Sequence, residues 1–178
     1  MTGIKEKINK GSTELKKTSG HDNVWALPRL QKVVVSTGVG KIKGDKKRVE
    51  FITDRLTRIT GQKPALRGAK KSIASFKLRQ GDIVGLAVTL RGLRMYGFLD
   101  RFFNAAVPRI RDFRGFDAKA IDNMGNLTIG IKEHTIFPET ADEDIKDVFG
   151  LSVTLTTSAR TPKEARALFD LIGVPFKK

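Results

Sequence analysis

"IVGLAVTLRGLRMYGFLDRFFNAAVPRI", Ile83 to Ile110, sets two periodicities back to back. From Ile83 to Leu90 the apolar residues are nearly continuous, which predicts a strand buried over most of its length. Beyond Gly92 they space out. Leu93, Tyr96, Phe103 and their neighbours predict a helix facing a core, with Phe98, Phe102 and Phe103 as core residues and Pro108 ending it. A strand that runs straight into a helix points to a mixed fold.

Upstream, "KKSIASFKLRQG", Lys70 to Gly81, is small, polar and basic, and reads as an exposed loop. Before it, "QKPAL" is a turn marked by Pro64. "GDKKRVEFITDRLTRITG", Gly44 to Gly61, is an amphipathic helix: Val49, Ile52, Leu56 and Ile59 recur at helical spacing, and Gly61 stops it. Lys46, Lys47, Arg48, Arg55 and Arg58 ride on its other faces. "QKVVVSTGVG", Gln31 to Gly40, is a strand with a Gly-broken exit. Pro28 keeps Leu27 extended. Residues 1–22 support no more than an arm or short helix.

Downstream, "RIRDFRGF" is a basic connector. "DNMGNLTIGIKEHTIF" is a turn followed by a strand, with His134 on the strand surface. "PETADEDIKDVFG" is an acidic loop or short helical turn. "LSVTLTTSA" alternates as a half-buried strand does. In "TPKEARALFDLIGVPF", Thr161 is the N-cap, Pro162 the first helical residue, Glu164 the capping-box partner and Gly173 the stop. These elements predict an α+β fold: a mainly antiparallel sheet with helices packed on one face, plus a long basic loop. No repeat or long linker divides the chain, so residues 23–178 are expected to form a single domain. The uncovered face of the sheet is free to bind something.

Charge says what. The 178 residues carry 34 Lys and Arg against 19 Asp and Glu. Residues 1–138 hold 28 basic and 12 acidic residues, and residues 139–178 hold 6 and 7, so the basicity belongs to the first three quarters. Such a field favours polyanions, either nucleic acid or an anionic membrane surface. No apolar run reaches the roughly 20 residues of a membrane helix, and the N-terminus lacks the apolar core of a signal peptide. With no cysteine there is no disulfide framework or thiolate metal site. The cytoplasm is the default location.

Catalytic and cofactor motifs fail. Gly38, Gly40 and Gly44 space as G-x-G-x-x-x-G, one residue off the dinucleotide pattern, and no phosphate-loop pattern can be drawn. A phosphate-handling enzyme built on this turn and Lys41 is the alternative reading. His21 and His134 have no metal-ligand spacing, and Asp142, Glu143, Asp144 and Asp147 lack the positions of a calcium loop. The expectation is a protein that is not an enzyme and has no cofactor and no metal. Polar contacts to RNA could come from strand ends at Ser36, Gln62, Thr89 and Asn126. Phe76 is the one aromatic in the basic loop and either stacks on a base or pins the loop to the core. No helix-turn-helix, zinc-finger or RNP motif is present, and a basic surface of sheet and loops suits irregular RNA better than duplex DNA. A free-standing RNA chaperone is a third reading.

Seven motifs in order, "TGVG", "GQKP", "KKSIASFKLRQG", "VTLRG", "VPRIRDFRGF", "NLTIGIKEHTIFPE" and "ARALFDLIGVPFKK", resemble the bacterial form of large ribosomal subunit protein 5, a 5S-rRNA-binding family. The likeness runs from about Asn23 to Lys178. It implies a sheet with helices on one side and a place in the central protuberance of the large subunit. The implied partners are 5S rRNA, 23S rRNA, peptidyl-site tRNA, other central-protuberance proteins and a small-subunit head protein across an intersubunit bridge. Carried over, 5S rRNA contacts fall on Lys32, Ser36, Gln62, Lys63, Thr89 and Arg91. The tRNA-facing loop is Ala69 to Gly81, with Lys70, Lys71, Ser72, Ser75, Phe76, Lys77 and Arg79. The chain departs from the family pattern at Ser36 and Thr37, where Asn and Met are usual. Ser keeps a donor and an acceptor but loses the reach of the amide.

Overall fold

The computed structural model describes residues 3–11, 15–16, 23–42, 45–140 and 148–177, with the side chains of Asn9 and Lys41 left aside. In chain order the elements are α1 (Ile4–Lys10), β1 (Leu30–Gly38), α2 (Lys46–Thr60), β2 (Ala65–Gly68), β3 (Ile83–Leu90), α3 (Gly92–Arg101), β4 (Leu127–Ile131), β5 (Leu151–Thr157) and α4 (Pro162–Ile172). The strands form one antiparallel sheet in the order β2-β3-β1-β5-β4. The chain therefore has the α+β fold expected of it.

Period-2 alternation makes the sheet two-faced. Val33, Val35 and Thr37 of β1, Leu86, Val88 and Leu90 of β3, and Leu127, Ile129 and Ile131 of β4 are buried. So are Leu151, Val153 and Leu155 of β5. The residues between them are half-buried or exposed. In β3 this corrects the expectation of burial over most of its length: Ile83, Gly85, Ala87 and Thr89 lie on the half-open face, and Val84, on the buried side, is itself only half-buried. A run of apolar residues cannot by itself tell one buried face from two.

Backbone contacts divide the chain into two compact units. The first comprises Met1–Val33, Leu90–Ile129 and Thr154–Lys178, and the second Val34–Thr89 and Gly130–Val153. In the first, α1 packs against α3 and α4. Ile4 is buried and its N–H donates to Asp100 Oδ1 at 2.9 Å. In α4, Thr161 Oγ1 caps the helix by accepting from Glu164 N at 3.3 Å, while Glu164 Oε2 reaches one residue further back and accepts from Arg160 N at 3.1 Å.

Helix α3 shifts the expected stripe. Met95, Phe98, Leu99 and Phe102 are buried, close to helical spacing along one face. Leu93, expected in the core, is 76% exposed. It sits two residues before Met95, about 200° around the helix, which turns it away from the stripe. Tyr96 and Phe103 flank the stripe and are only half-buried. Nor does Pro108 end the helix outright. A π-turn spans Phe102–Ala106 and a 3-10 turn spans Val107–Arg109, carrying the helical path one residue past the proline.

In the second unit α2 follows its sequence pattern, burying Val49, Ile52, Leu56 and Ile59. Asp45 Oδ1 caps it by accepting from Arg48 N at 3.1 Å. It ends at Gly61, whose φ of 69° is left-handed and strained for a residue with a Cβ. His134 is the clearest correction. It lies in a 3-10 turn, fully buried, rather than on a strand surface. Its ring stacks on Phe149 with centroids 4.1 Å apart and planes 12° from parallel. Its Nδ1 accepts from Phe149 N at 3.4 Å, and its own backbone N–H donates to Phe149 O at 3.1 Å. Within the acidic segment Pro138–Thr140 forms a 3-10 turn, and Asp142, Glu143, Asp144 and Asp147 lie outside the described residues.

Candidate nucleic-acid interface

The half-open face of the sheet is lined with hydroxyls. In the second unit Ser36 Oγ and Ser152 Oγ meet at 2.9 Å across β1 and β5. They border a shallow concavity of about 470 Å³, whose other lining residues include Lys132 and the backbones of Gly38, Gly130 and Gly150. Lys132 is exposed there. Thr37, whose side chain takes the opposite face, is buried and donates from Oγ1 to Gly150 O at 2.6 Å. A serine row has no charge signature in a sequence, so Ser152 and Lys132 were not visible as partners of Ser36. Only the strand order brings residues 116 apart into contact.

Gln62, Lys63 and Thr89 belong to the same unit. β2 pairs antiparallel with β3 through Ala65↔Ala87 and Leu66↔Leu86. Gln62 and Lys63 precede β2 by two to three residues, and Thr89 lies two residues beyond Ala87, the partner of Ala65. Gln62 and Thr89 are half-buried and Lys63 is exposed. Thr60 Oγ1 donates to Gln62 O at 3.0 Å, which fixes the turn that presents them.

In the first unit, Lys32 is half-buried on the face of β1 opposite Val33, and Arg91 is exposed between β3 and α3. Thr128 Oγ1 and Thr154 Oγ1 meet at 3.1 Å and repeat the hydroxyl pairing between β4 and β5. Asn126 is partly engaged within the first unit. Its amide Nδ2 donates to Asp122 Oδ2 at 2.9 Å, and its Oδ1 accepts from Thr157 N at 3.3 Å. The bonds that Asn126 donates to Asp122, the side-chain one foremost, hold the Asp122 carboxyl below its ordinary pKa.

Cations on α2 are not all equal. Asp54 pairs with Arg58 at 3.0 Å and with Arg55 at 3.1 Å, and the Arg55 guanidinium also lies 4.6 Å over the Phe51 ring. Part of the helix's positive charge is thus answered within the helix. Lys46 and Lys47 are exposed.

Residues 69–82 form an excursion between β2 and β3 with its own hydrogen bonds. Ala69 N donates to Asp82 O at 2.8 Å and Gly81 N to Ala69 O at 3.0 Å. Ile73 and Leu78 exchange backbone bonds of 2.9 and 3.1 Å, and Ser72 Oγ accepts from Gln80 N at 2.9 Å. Ala74–Phe76 makes a 3-10 turn that ends on Lys77 at φ 49°, a left-handed value. Lys70, Lys71, Ser72, Ser75, Phe76, Lys77 and Arg79 are all exposed. Phe76 is 74% exposed, so it does not plug the core. Its ring lines the rim of a groove of about 1000 Å³ that also includes Gly38, Gly40, Arg48 and Phe149.

The turn after β1 is hydrogen-bonded rather than loose. Val39 N donates to Val84 O at 2.9 Å and Ile42 N to Val39 O at 3.0 Å. Residue Gly44 lies outside the described residues. Among the described residues no group of three or more His, Cys, Asp or Glu could hold a metal ion, and no helix is long and apolar enough to cross a membrane.

Comparison with known proteins gives the class first. Residues 23–79 match the family described as Ribosomal protein L5, and residues 83–176 match the model of that ribosomal family's C-terminus, so this basic α+β chain is a ribosomal protein. Its relatives are more specific. The chain is 47% identical to the large ribosomal subunit protein uL5 of Ureaplasma parvum serovar 3, over 96% of this chain and 92% of the relative. It is 46% identical to that of Desulforamulus reducens, over 100% and 99%. It is 47% identical to that of Thermus thermophilus, over 93% and 91%. The chain belongs to the ribosomal protein L5 family.

Proposed function

We propose that the chain is a structural constituent of the large ribosomal subunit, in the cytoplasm, that binds 5S rRNA and anchors it in the central protuberance beside 23S rRNA. The role is structural, not catalytic. The observation that carries the rRNA reading is the uncovered hydroxyl face of the sheet, centred on the Ser36–Ser152 pair with Lys132 at its rim. Hydroxyls both donate and accept, which suits phosphate oxygens and ribose 2′-OH groups alike. Ser36, Gln62, Lys63 and Thr89 on the second unit, with Lys32 and Arg91 on the first, are the contacts. The excursion from Ala69 to Gly81 reaches peptidyl-site tRNA through Lys70, Lys71, Ser72, Ser75, Phe76, Lys77 and Arg79. Other central-protuberance proteins and a small-subunit head protein, met across an intersubunit bridge, complete the partners.

The test is a salt titration of the purified protein with 5S rRNA. Engaging five to eight phosphates gives log K against log[salt] a slope of roughly −4 to −7. A flat response removes the electrostatic basis of the proposal. Retention of the chain with 5S rRNA on ribosomes washed at high salt separates this reading from a free-standing RNA chaperone.

A further inference from the structure

Trp25 is the one tryptophan of the chain, and it is 84% exposed. A tryptophan left in water gives up the burial its large ring system ordinarily contributes. Nothing about its backbone is loose. Asn23 Oδ1 accepts from Trp25 N at 2.9 Å and caps the 3-10 turn Val24–Ala26. Leu27 N closes the turn on Val24 O at 3.3 Å. Leu27 and Pro28 are buried directly behind it. The ring is therefore held out on a pinned support.

Two exposed arginines, Arg29 and Arg160, belong to the same unit. Arg29, exposed, follows Pro28 at the head of β1. Its backbone N–H donates to Ser158 Oγ at 3.0 Å, and its carbonyl accepts from Ser158 N at 2.9 Å. Exposed Arg160 stands two residues beyond Ser158, roughly 7 Å along an extended chain. Two carboxylates of the same unit are turned to internal work. Glu164 accepts from Arg160 N, and Asp122 accepts from Met124 N at 2.9 Å and Asn126 N at 2.7 Å. An exposed indole on a pinned turn, with two exposed arginines in the same unit whose backbones are tied through Ser158, has the chemistry to hold an unpaired nucleotide: a base stacks on an indole, and guanidinium groups meet phosphates.

We infer that Trp25, with Arg29 and Arg160, is a stacking platform for an unpaired base of RNA, separate from the hydroxyl face of the sheet. This rests on the proposed RNA-binding role, and its test is arranged so that the two can fail separately. The single tryptophan makes its emission a direct reporter. The full-length protein is titrated at low salt with a short oligoadenylate and with 5S rRNA, each end-labelled so that anisotropy follows binding independently. The expected result is saturable quenching of Trp25 and loss of its accessibility to acrylamide, in step with anisotropy. Trp25→Ala then weakens oligoadenylate binding about fivefold or more, the low end of base-stacking effects, while Trp25→Phe keeps most of it. Arg29→Ala and Arg160→Ala each make the salt slope shallower. Because the ring is exposed, these variants fold, and circular dichroism checks it. RNA that binds by anisotropy with Trp25 emission and the Trp25→Ala affinity unchanged overturns the platform but leaves the RNA role standing. Absence of any RNA binding overturns both. Shielding of Trp25 by RNA-free ribosomal proteins, and not by RNA, overturns it in favour of a protein interface.

Discussion

Ser36 Oγ lies 2.9 Å from Ser152 Oγ, and Ser152 Oγ also reaches Ser36 O at 3.4 Å. The two hydroxyls answer each other and still keep acceptor capacity toward the concavity, since a hydroxyl has one proton and two lone pairs. An asparagine at position 36 would project an amide past Ser152, with two donors and a longer reach. Ser36→Asn is therefore expected to tighten 5S rRNA binding by about 1 kcal/mol, and Ser36→Ala to weaken it by about 0.5–1.5 kcal/mol. Filter binding at fixed salt measures both. Affinities equal to the parent in both variants would move the rRNA contact away from β1.

Gln62 and Thr89 test the other end of the same unit. Both are half-buried, Gln62 in the turn after α2 and Thr89 on β3. Their side chains carry none of the core, so Gln62→Ala and Thr89→Ala should leave thermal unfolding within about 0.5 kcal/mol of the parent. Each should lower 5S rRNA affinity by about 1–2 kcal/mol, the cost of an unmet hydrogen bond in a desolvated contact. Melting curves and rRNA affinities taken on the same preparations decide it. Weaker binding accompanied by equal destabilisation would mark these residues as structural.

What could be read from the chain and what could not divides along one physical line. Features fixed by neighbours a few residues away were legible: the Thr161 cap of α4, the left-handed stop at Gly61, the buried stripe of α2 and the alternation in β5. Features fixed by a partner far along the chain were not. His134 lies in a short segment whose local pattern reads as a strand, and only Phe149, stacked 4.1 Å away, makes it a core residue. Leu93 and Met95 differ by two positions, and the composition of α3 does not say which of them the core will meet. The Ser36–Ser152 pairing depends on β5 lying beside β1, a matter of topology. The motifs of the basic loop were plain, but its internal ladder between Ile73 and Leu78 was hidden, because that segment has no strand-like composition.

His134 should matter to stability rather than to RNA. Its ring is fully buried, and Nδ1 is the acceptor for Phe149 N. His134→Ala removes the stack and leaves a cavity and an unpaired N–H, for an expected loss of about 2–4 kcal/mol. His134→Phe keeps an aromatic ring against Phe149 but no acceptor, and should cost about 1–3 kcal/mol. Urea unfolding of the two variants gives the order. A loss of rRNA affinity at unchanged stability would contradict this reading of the residue.

The excursion between β2 and β3 yields the most discriminating prediction, because its geometry says where it can be cut. Ala69 N bonds to Asp82 O and Gly81 N to Ala69 O, so the hairpin is already closed at its base. Deleting Ser72–Gln80 leaves Lys70, Lys71 and Gly81 between the closing pair. That is a three-residue hairpin loop with glycine in last place, where φ is already 91°. The β2–β3 register from Ala65 to Gly68 lies outside the cut. The deleted protein should therefore fold, bind 5S rRNA with the affinity of the parent and enter ribosomes. What it loses is Phe76 and the exposed charges of Lys77 and Arg79, along with Ser72 and Ser75. Exposed charges contribute about 0.2–1 kcal/mol each in water, so the loss of two should have a modest effect on peptidyl-site tRNA, a dissociation rate raised about twofold to thirtyfold. The contact suits a partner that is exchanged at every cycle, since phosphates are the same on every tRNA. The measurement is paired: 5S rRNA affinity of the deleted protein, and peptidyl-site tRNA dissociation from ribosomes that carry it. Collapse of 5S rRNA binding with tRNA dissociation unchanged would make the excursion part of the rRNA anchor instead.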